Sequence, residues 1–312
     1  MEADRWLGLE LRHLIALKAI SEQGTFGRAA SSLGYTQSAV SQQIAMLERI
    51  VGQRLIDRPG GPRPVSLTEA GAVLLRHADA IEARLQAAQA DLAALDAGDA
   101  GPLHVGTYQS VGAKLLPSLL REFTTQWPKV EVSLRESVDD AELARLVERG
   151  ELDLSFVTLP LGPGPYETVE LLRDPYVLVV PAGSPLALQE RTPSLRDLME
   201  HPLIGFRTCR TTQHVEDRLR QTGHEPQIVF RSDDNGTVQG LVAAGVGIAI
   251  VPRMTVDETD TSIQVVDLAD RLPPRLVGIA WHRDRRKTRA AQAFVELARK
   301  LTSGAELEVE AA

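Results

Sequence analysis

Cysteine is almost missing from this chain of 312 residues: Cys209 is the single one. An intramolecular disulfide is therefore impossible, and so is a two-cysteine redox switch within one chain. No apolar run approaches the ~20 residues that cross a bilayer. The opening MEADRWLGLE has neither a basic n-region nor an apolar h-region, so no signal peptide is evident. Together these absences give the expectation of a cytoplasmic protein with no membrane partner. Catalytic signatures are lacking too. There is no Gly-x-Ser-x-Gly elbow, and no His-x-x-x-His, Cys-x-x-Cys or paired-carboxylate motif with metal spacing. Ser110, Cys209, His201 and His214 qualify as enzymatic groups by residue type alone. The expectation is a protein that is not an enzyme and carries no metal or cofactor. Gly245 and Gly247 in AAGVGIAIVP suit a helix cap and a tight helix-to-strand turn; no phosphate-loop pattern follows a strand there.

What is present is concentrated at residues 25–58, TFGRAASSLGYTQSAVSQQIAMLERIVGQRLIDR. Thr25 is a good N-cap, because its hydroxyl can accept a backbone N–H that the helix leaves unpaired. Phe26, Ala29, Ala30 and Leu33 follow at helical spacing on one face. Gly34 suits the positive φ of a helix end. Thr36 can cap a second helix, in which Val40, Ile44 and Leu47 form the buried stripe and Val51 prolongs it. The small Ala29 and Ala30 let two helices cross closely, as a helix-turn-helix requires. The second helix exposes Gln37, Ser38, Ser41 and Gln42 near its N-terminal end, the part that reaches base edges in the major groove. Gln can bond bidentately to adenine, and Ser can donate or accept. An ordinary polar solvated face would explain any one of these features; the cap, paired alanines, glycine break and polar N-terminal face together favour a reader of duplex DNA. After this helix, Arg54, Arg58 and Arg63 surround PGGPRP, a turn-rich hairpin or wing suited to phosphate contacts or minor-groove insertion.

Residues 9–75 closely resemble the N-terminal domain of LysR-type transcriptional regulators. The matching pieces are LRHLIALKAISEQGTFGRAASSLGYTQSAVSQQIAMLE, an LxxR pattern filled by Leu55 and Arg58, and VSLTEAG at 65–71. Ile56 stands where that family usually has Phe. The resemblance implies that Gln37, Ser38, Ser41 and Gln42 face bases, that Arg58 and Arg63 face the DNA backbone, and that promoter DNA and RNA polymerase are partners.

The net charge of −8 argues at first against nucleic acid, but its distribution matters more. Residues 1–67 hold eight Lys/Arg against six Asp/Glu, a net of +2, which leaves −10 on the remainder. Positive charge gathers from Arg49 to Arg63, so a locally basic head is joined to an acidic body. The acidic, small-residue tail at 303–312 is expected to be disordered.

From Thr68 to Leu95 there is no proline and much alanine. Ser66-x-x-Glu69 matches a capping box, with Thr68 a rival N-cap. Leu74, Ala78, Ile81, Leu85, Ala88, Leu92 and Leu95 then repeat at the spacing of a two-helix seam. A helix lying on its own domain is the alternative; the sustained period favours a partner helix, with Leu74, Ile81, Leu85 and Leu92 as its anchors. In the resembled family this is the linker helix that pairs two heads into a homodimer, often a homotetramer. AGDAGP at 97–102 breaks the helix as a hinge.

Beyond Leu103, short β-like runs (LHVGTY, VEVSLRE, LDLSFVT, YVLVVP, PLIGFR, IVFRSD, GIAIVP, LVGIAWH) alternate with helices, which argues for an α/β body with largely parallel sheets. The resemblance implies two periplasmic-binding-protein-like lobes that bind a small-molecule effector. The expected fold is thus α/β multi-domain: a winged helix-turn-helix at 9–67, a long dimerising linker helix at 68–96, the hinge, and a two-lobed α/β effector domain at 103–302. Lobe one is placed at 103–158 plus 267–302, and lobe two at 165–261, with crossings at TLPLGP and IQVVDL. Ligands in open α/β sheets lie beyond strand carboxyl ends, where helix N-termini point. The loops that fit carry Thr107, Gln109 and Ser110; Arg207 and Thr208; and Asp233; Thr158 sits at the crossover. Two Arg and three Thr at 207–212 favour a carboxylate or other small anion, although ordinary capping threonines and surface arginines explain them as well. A pure ligand carrier is the remaining alternative, and the DNA-reading head argues against it.

Overall fold

A computed structural model describes residues 5–57, 65–97, 101–188, 192–207, 210–221, 223, 225–268 and 271–303. The chain divides into two compact units, Met1–Gln86 and Ala87–Ala312. No helix among the described residues is long and apolar enough to cross a membrane.

In the first unit, α1 (Leu11–Gln23), α2 (Phe26–Leu33) and α3 (Gln37–Val51) pack around one core. Leu14, Leu17 and Ile20 of α1 meet Ala29 and Ala30 of α2 and Val40, Ile44 and Leu47 of α3. Ala29 and Ala30 are fully buried, so their lack of bulk sets the close crossing. Ile50 is buried while Val51 is half-buried, which shifts the end of the α3 stripe by one residue. A two-stranded antiparallel ribbon follows, β1 (Ile56–Asp57) with β2 (Ser66–Leu67). The long helix α4 then runs over Glu69–Ala97. Its N-cap is Thr68: the hydroxyl accepts the Gly71 N–H at 3.0 Å and donates to the Arg54 carbonyl at 2.7 Å. The Ser66 capping box does not form, because Ser66 is paired in β2. Gly71 is required here, since a Cβ would overlap the Leu55 carbonyl oxygen.

The second unit has two lobes. Lobe one is a five-stranded sheet in the order β4-β3-β5-β12-β6, from β3 (Gly101–Thr107), β4 (Val130–Glu136), β5 (Leu154–Leu159), β6 (Tyr166–Asp174) and β12 (Arg275–His282). It is covered by α5 (Gln109–Lys114), α6 (Leu116–Gln126), α7 (Asp140–Arg149) and α11 (Arg289–Ser303). Phe123, Phe156 and Phe294 fill its core. Lobe two has β7 (Tyr176–Pro181) between β10 (Ala249–Pro252) and β11 (Ile263–Asp267), plus the parallel pair β8 (Leu203–Phe206) and β9 (Ile228–Ser232). Its helices are α8 (Leu195–Leu198), α9 (Arg210–Arg220) and α10 (Asn235–Ala243). Central β7 is buried on both faces: Tyr176, Leu178 and Val180 enter one core, Val177 and Val179 the other.

Three expectations change. The sheets are mixed rather than largely parallel, because β12 runs antiparallel to β5 and β6, and β10 and β11 run antiparallel to β7. The crossings move: residues 166–174 pair with β12 in lobe one, and 263–267 pair with β7 in lobe two. The chain therefore passes between lobes at Pro175 and again between Leu268 and Arg275, not at TLPLGP and IQVVDL. Lobe one spans 101–174 and 275–303, and lobe two 176–267. Of the expected hinge, Gly101 and Pro102 already pair in β3 against Val130 and Glu131, while 98–100 lie outside the described residues. The expected disordered tail lies outside them as well, except Ser303, which ends α11.

Candidate nucleic-acid interface and effector cleft

Helix α3 is held at both ends by backbone chemistry that its sequence encodes. Thr25 Oγ1 accepts the Arg28 N–H at 3.2 Å to start α2, and Gly34 ends it in the left-handed region at φ 69°. Thr36 Oγ1 accepts the Ala39 N–H at 3.2 Å and starts α3. This leaves Gln37, Ser38 and Gln42 exposed and Ser41 half-buried on the first two turns. The Ser38 hydroxyl shares a 3.0 Å bond with the Thr36 hydroxyl; both groups retain further hydrogen-bonding capacity. At the other end, Glu48 Oε1 accepts the N–H groups of Leu55 and Ile56 at 2.9 and 3.3 Å, which ties α3 to the ribbon. The Arg54 side chain is exposed beside that ribbon. Arg58 and Arg63 lie outside the described residues.

Lys18 Nζ on α1 bonds to Glu82 at 2.6 Å and lies 3.5 Å from Asp79, which fixes α4 on the head. Within the α4 stripe, Leu74 and Ala78 are buried in the head's own core. Ile81, Leu85 and Leu92 are 42%, 47% and 64% exposed. The stripe thus has two parts, one spent inside the chain and one left on its surface. The side chain of Leu95 lies outside the described residues.

In the second unit, Arg275 is the organising group. It opens β12 directly opposite Asp174, the last residue of β6. Both are buried, and Arg275 Nη2 and Nε bond to Asp174 Oδ2 at 2.5 and 3.1 Å. Nη2 also donates to Ser110 Oγ at 3.0 Å. The guanidinium carbon stands 5.3 Å from the Tyr108 ring centroid, in cation–π range. Asp174 Oδ1 accepts the Met254 N–H of lobe two at 3.0 Å. One ion pair therefore ties the β3–α5 loop, both crossings and lobe two together. Burial pushes the Asp174 carboxyl up, and Arg275 and the backbone donors of Met254 and Arg253 offset it.

Two cavities flank Arg275. One, of about 260 Å3, is lined by Thr158, Tyr176, His214, Pro273 and Pro274 among others. The smaller, of about 50 Å3, is lined by Tyr108, Gln109, Ser110, Phe206, Asp233 and Asn235 among others. Of the expected cleft residues, Thr158 thus lines one cavity with Arg275, and Gln109, Ser110 and Asp233 line the other. Thr107 and Arg207 line neither cavity. The Thr107 side chain is buried, with its hydroxyl on the Tyr108 carbonyl. Arg207 is exposed and offers its backbone N–H to Asp233 at 3.1 Å. Thr208 and Cys209 lie outside the described residues. Arg275 and Asp174 escaped the sequence reading, whereas Tyr108 and Asn235 fall inside two of the loops that it singled out. Its one available signal for Arg275 was an arginine placed by Pro-Pro at the start of an otherwise apolar strand.

The comparisons with known proteins agree with this architecture. Residues 11–72 match the family described as bacterial regulatory helix-turn-helix protein, lysR family, and residues 96–303 match the LysR substrate binding domain. The HTH-type transcriptional regulator AlsR of Bacillus subtilis is 33% identical over 78% of this chain and 80% of its own. TtuA of Agrobacterium vitis is 32% identical over 79% and 81%. Among solved structures, the C-terminal domain of a probable LysR family transcriptional regulator from Rhodococcus sp. RHA1 is 31% identical, with TM-score 0.58 over 64% of this chain and 98% of that one. The Corynebacterium glutamicum OxyR C206 mutant is 26% identical, with TM-score 0.59 over 95% and 92%. A helix-turn-helix head followed by a two-lobed ligand domain defines a ligand-responsive regulator of transcription. The chain belongs to the LysR family: it is a DNA-binding transcription regulator with a substrate-binding domain for an effector, and not an enzyme.

Proposed function

We propose that this regulator works in the cytoplasm as a homodimer or homotetramer. It reads a partly palindromic promoter site with Gln37, Ser38, Ser41 and Gln42, and acts on RNA polymerase there. The observation that carries the reading is the polar first two turns of α3, capped by Thr36 and left uncovered. Arg54, Arg58 and Arg63 supply phosphate contacts around the ribbon. The exposed run Ile81, Leu85 and Leu92 pairs with a second copy. Leu74 is spent in the head core and is not available to that seam. Two reading helices then meet major grooves about one helical turn apart, roughly 34 Å. A small anionic effector binds between the lobes, where Arg275 supplies a buried cation and Ser110, Thr158 and Gln109 supply polar contacts. Arg207, Thr208, Thr107 and Asp233 support the loops around it. The effector acts by favouring one subunit arrangement over another.

A mobility shift with the DNA upstream of the regulator's own gene tests this. Gln37→Ala should lose about 1–3 kcal/mol of discrimination at one base pair of each half-site, and Arg58→Ala should weaken all sites alike and flatten the log–log salt slope by about 0.9. No retarded complex at low salt, with or without small carboxylates, overturns the reading.

A further inference from the structure

Gln109 opens the lobe-one helix α5, yet both ends of its carboxamide are held by lobe two. Its Nε2 donates to Asp234 Oδ2 at 2.8 Å, and its Oε1 accepts the Asn235 N–H at 2.8 Å. Asn235 is the first residue of α10, so that N–H is one of the donors the helix cannot satisfy itself. Asp234 is the N-cap, accepting the Thr237 N–H at 2.6 Å. A ligand carboxylate or amide at this helix end would take the bond that Gln109 now takes.

The residue before Gln109 carries a polar group without a good partner. Tyr108 is only 7% exposed, and its hydroxyl is buried with no well-formed hydrogen bond, although Thr158 stands beside it. A buried hydroxyl without a partner costs free energy unless something is brought to it. Tyr108, Gln109 and Asn235 line one cavity together, and with Gln109 in place only about 50 Å3 of it is open.

We infer that Gln109 is a built-in occupant of the cleft: its carboxamide bridges the lobes at the α10 N-terminus when no effector is bound, and an effector carrying a carboxylate or primary amide takes over that bridge by displacing it. The inference rests on the reading of this cleft as the effector site, and it replaces the direct effector contact given there to Gln109 with competition. It adds the functional group that the effector must present. It also adds a regulatory consequence: the effector has to compete with a tethered group, which lowers its apparent affinity by the fraction of time the bridge is shut.

The test uses the full-length protein without DNA or effector. Gln109→Met keeps the length of the side chain and removes both polar atoms. One neutral hydrogen bond at about 1 kcal/mol and one to a carboxylate at about 1.5–2 kcal/mol correspond to roughly a hundredfold in the open-to-closed ratio. Backbone exchange at Asn235 should therefore quicken at least tenfold. The distance between spin labels at Gln126 and Gln213, in a Cys209→Ser background, should broaden and lengthen. In Gln109→Ala, acetamide, the group that the substitution excises, should slow Asn235 exchange again, while propan-2-ol should not. Wild-type exchange and label distances in Gln109→Met overturn the bridge, and no response of Gln109→Ala to acetamide overturns its role as a stand-in for an effector. Neither readout involves promoter DNA. A failed mobility shift would leave these results standing, and their failure would leave the DNA reading intact.

Discussion

The two surfaces proposed to meet DNA and effector handle their polar groups in opposite ways. On the head, Gln37, Ser38 and Gln42 stand exposed, and the effort of the fold goes into fixing the helix beneath them through Thr36, Glu48 and the Ala29–Ala30 contact. In the cleft the polar groups are committed to one another: Arg275 to Asp174 and Ser110, and Gln109 to Asp234 and Asn235. The difference follows from what each surface meets. Duplex DNA is a rigid, hydrated partner, and a rigid solvated helix face docks on it at small reorganisation cost. In the cleft Arg275, Asp174 and Ser110 are buried, where unpaired polar groups would cost several kcal/mol, and they pair with one another. The head is poised by exposure and the cleft by competition.

The contrast is most sharply broken at Arg275. Arg275→Ala leaves Asp174 buried and unpaired, and the second unit should lose about 3–5 kcal/mol in urea unfolding. Arg275→Met with Asp174→Leu should recover most of that loss, because replacing both charges removes the stranded one. A wild-type midpoint for the single variant would show that the cleft does not depend on its internal pairing. On the head side, Gly71→Ala drives a Cβ into the Leu55 carbonyl and should cost about 1–3 kcal/mol. The expected readout is a lower melting temperature for the first unit together with weaker promoter binding, since α4 and the ribbon are displaced together. The smallest effect is at Asp234. The Gln109 hydrogen bond, followed by those from Thr237, holds its carboxyl below the usual aspartate value. Its contribution to the closed cleft is then full above the ordinary carboxylate range and fades as pH falls through the lowered value. Gln109→Ala should move the Asp234 titration, followed by NMR, back toward the ordinary range. An unmoved titration would mean that the bond is too transient to matter.

Much of the head was legible in the sequence because its signals are local. Caps lie within three residues of the N–H groups they satisfy, Gly34 announces its own conformation, and the helical period sorts Val40, Ile44 and Leu47 from Gln37 and Gln42. The ribbon, the long helix α4 and eight of the strands could be read in the same way. Legibility fell where local signals tied. Ser66 and Thr68 were both plausible caps, and pairing in β2 decided for Thr68. The seven-residue repeat showed an apolar stripe but not which half of it the head consumes: Leu74 is inside, and Ile81 is not.

The order of the elements, the cap and turn chemistry, the polar face of α3 and the charge asymmetry between head and body were determined by the sequence itself, since each depends on residues a few positions apart. Only the tertiary structure decided where the chain crosses between lobes, that the sheets are mixed, and that Arg275 meets Asp174 across 101 positions and Gln109 meets Asp234 across 125. Strand pairing carries no period that marks its partner, and a buried ion pair is set by register between distant strands. The physical reason is the same in each case: contacts that close long loops are selected by the packing of the whole domain, which no local window contains.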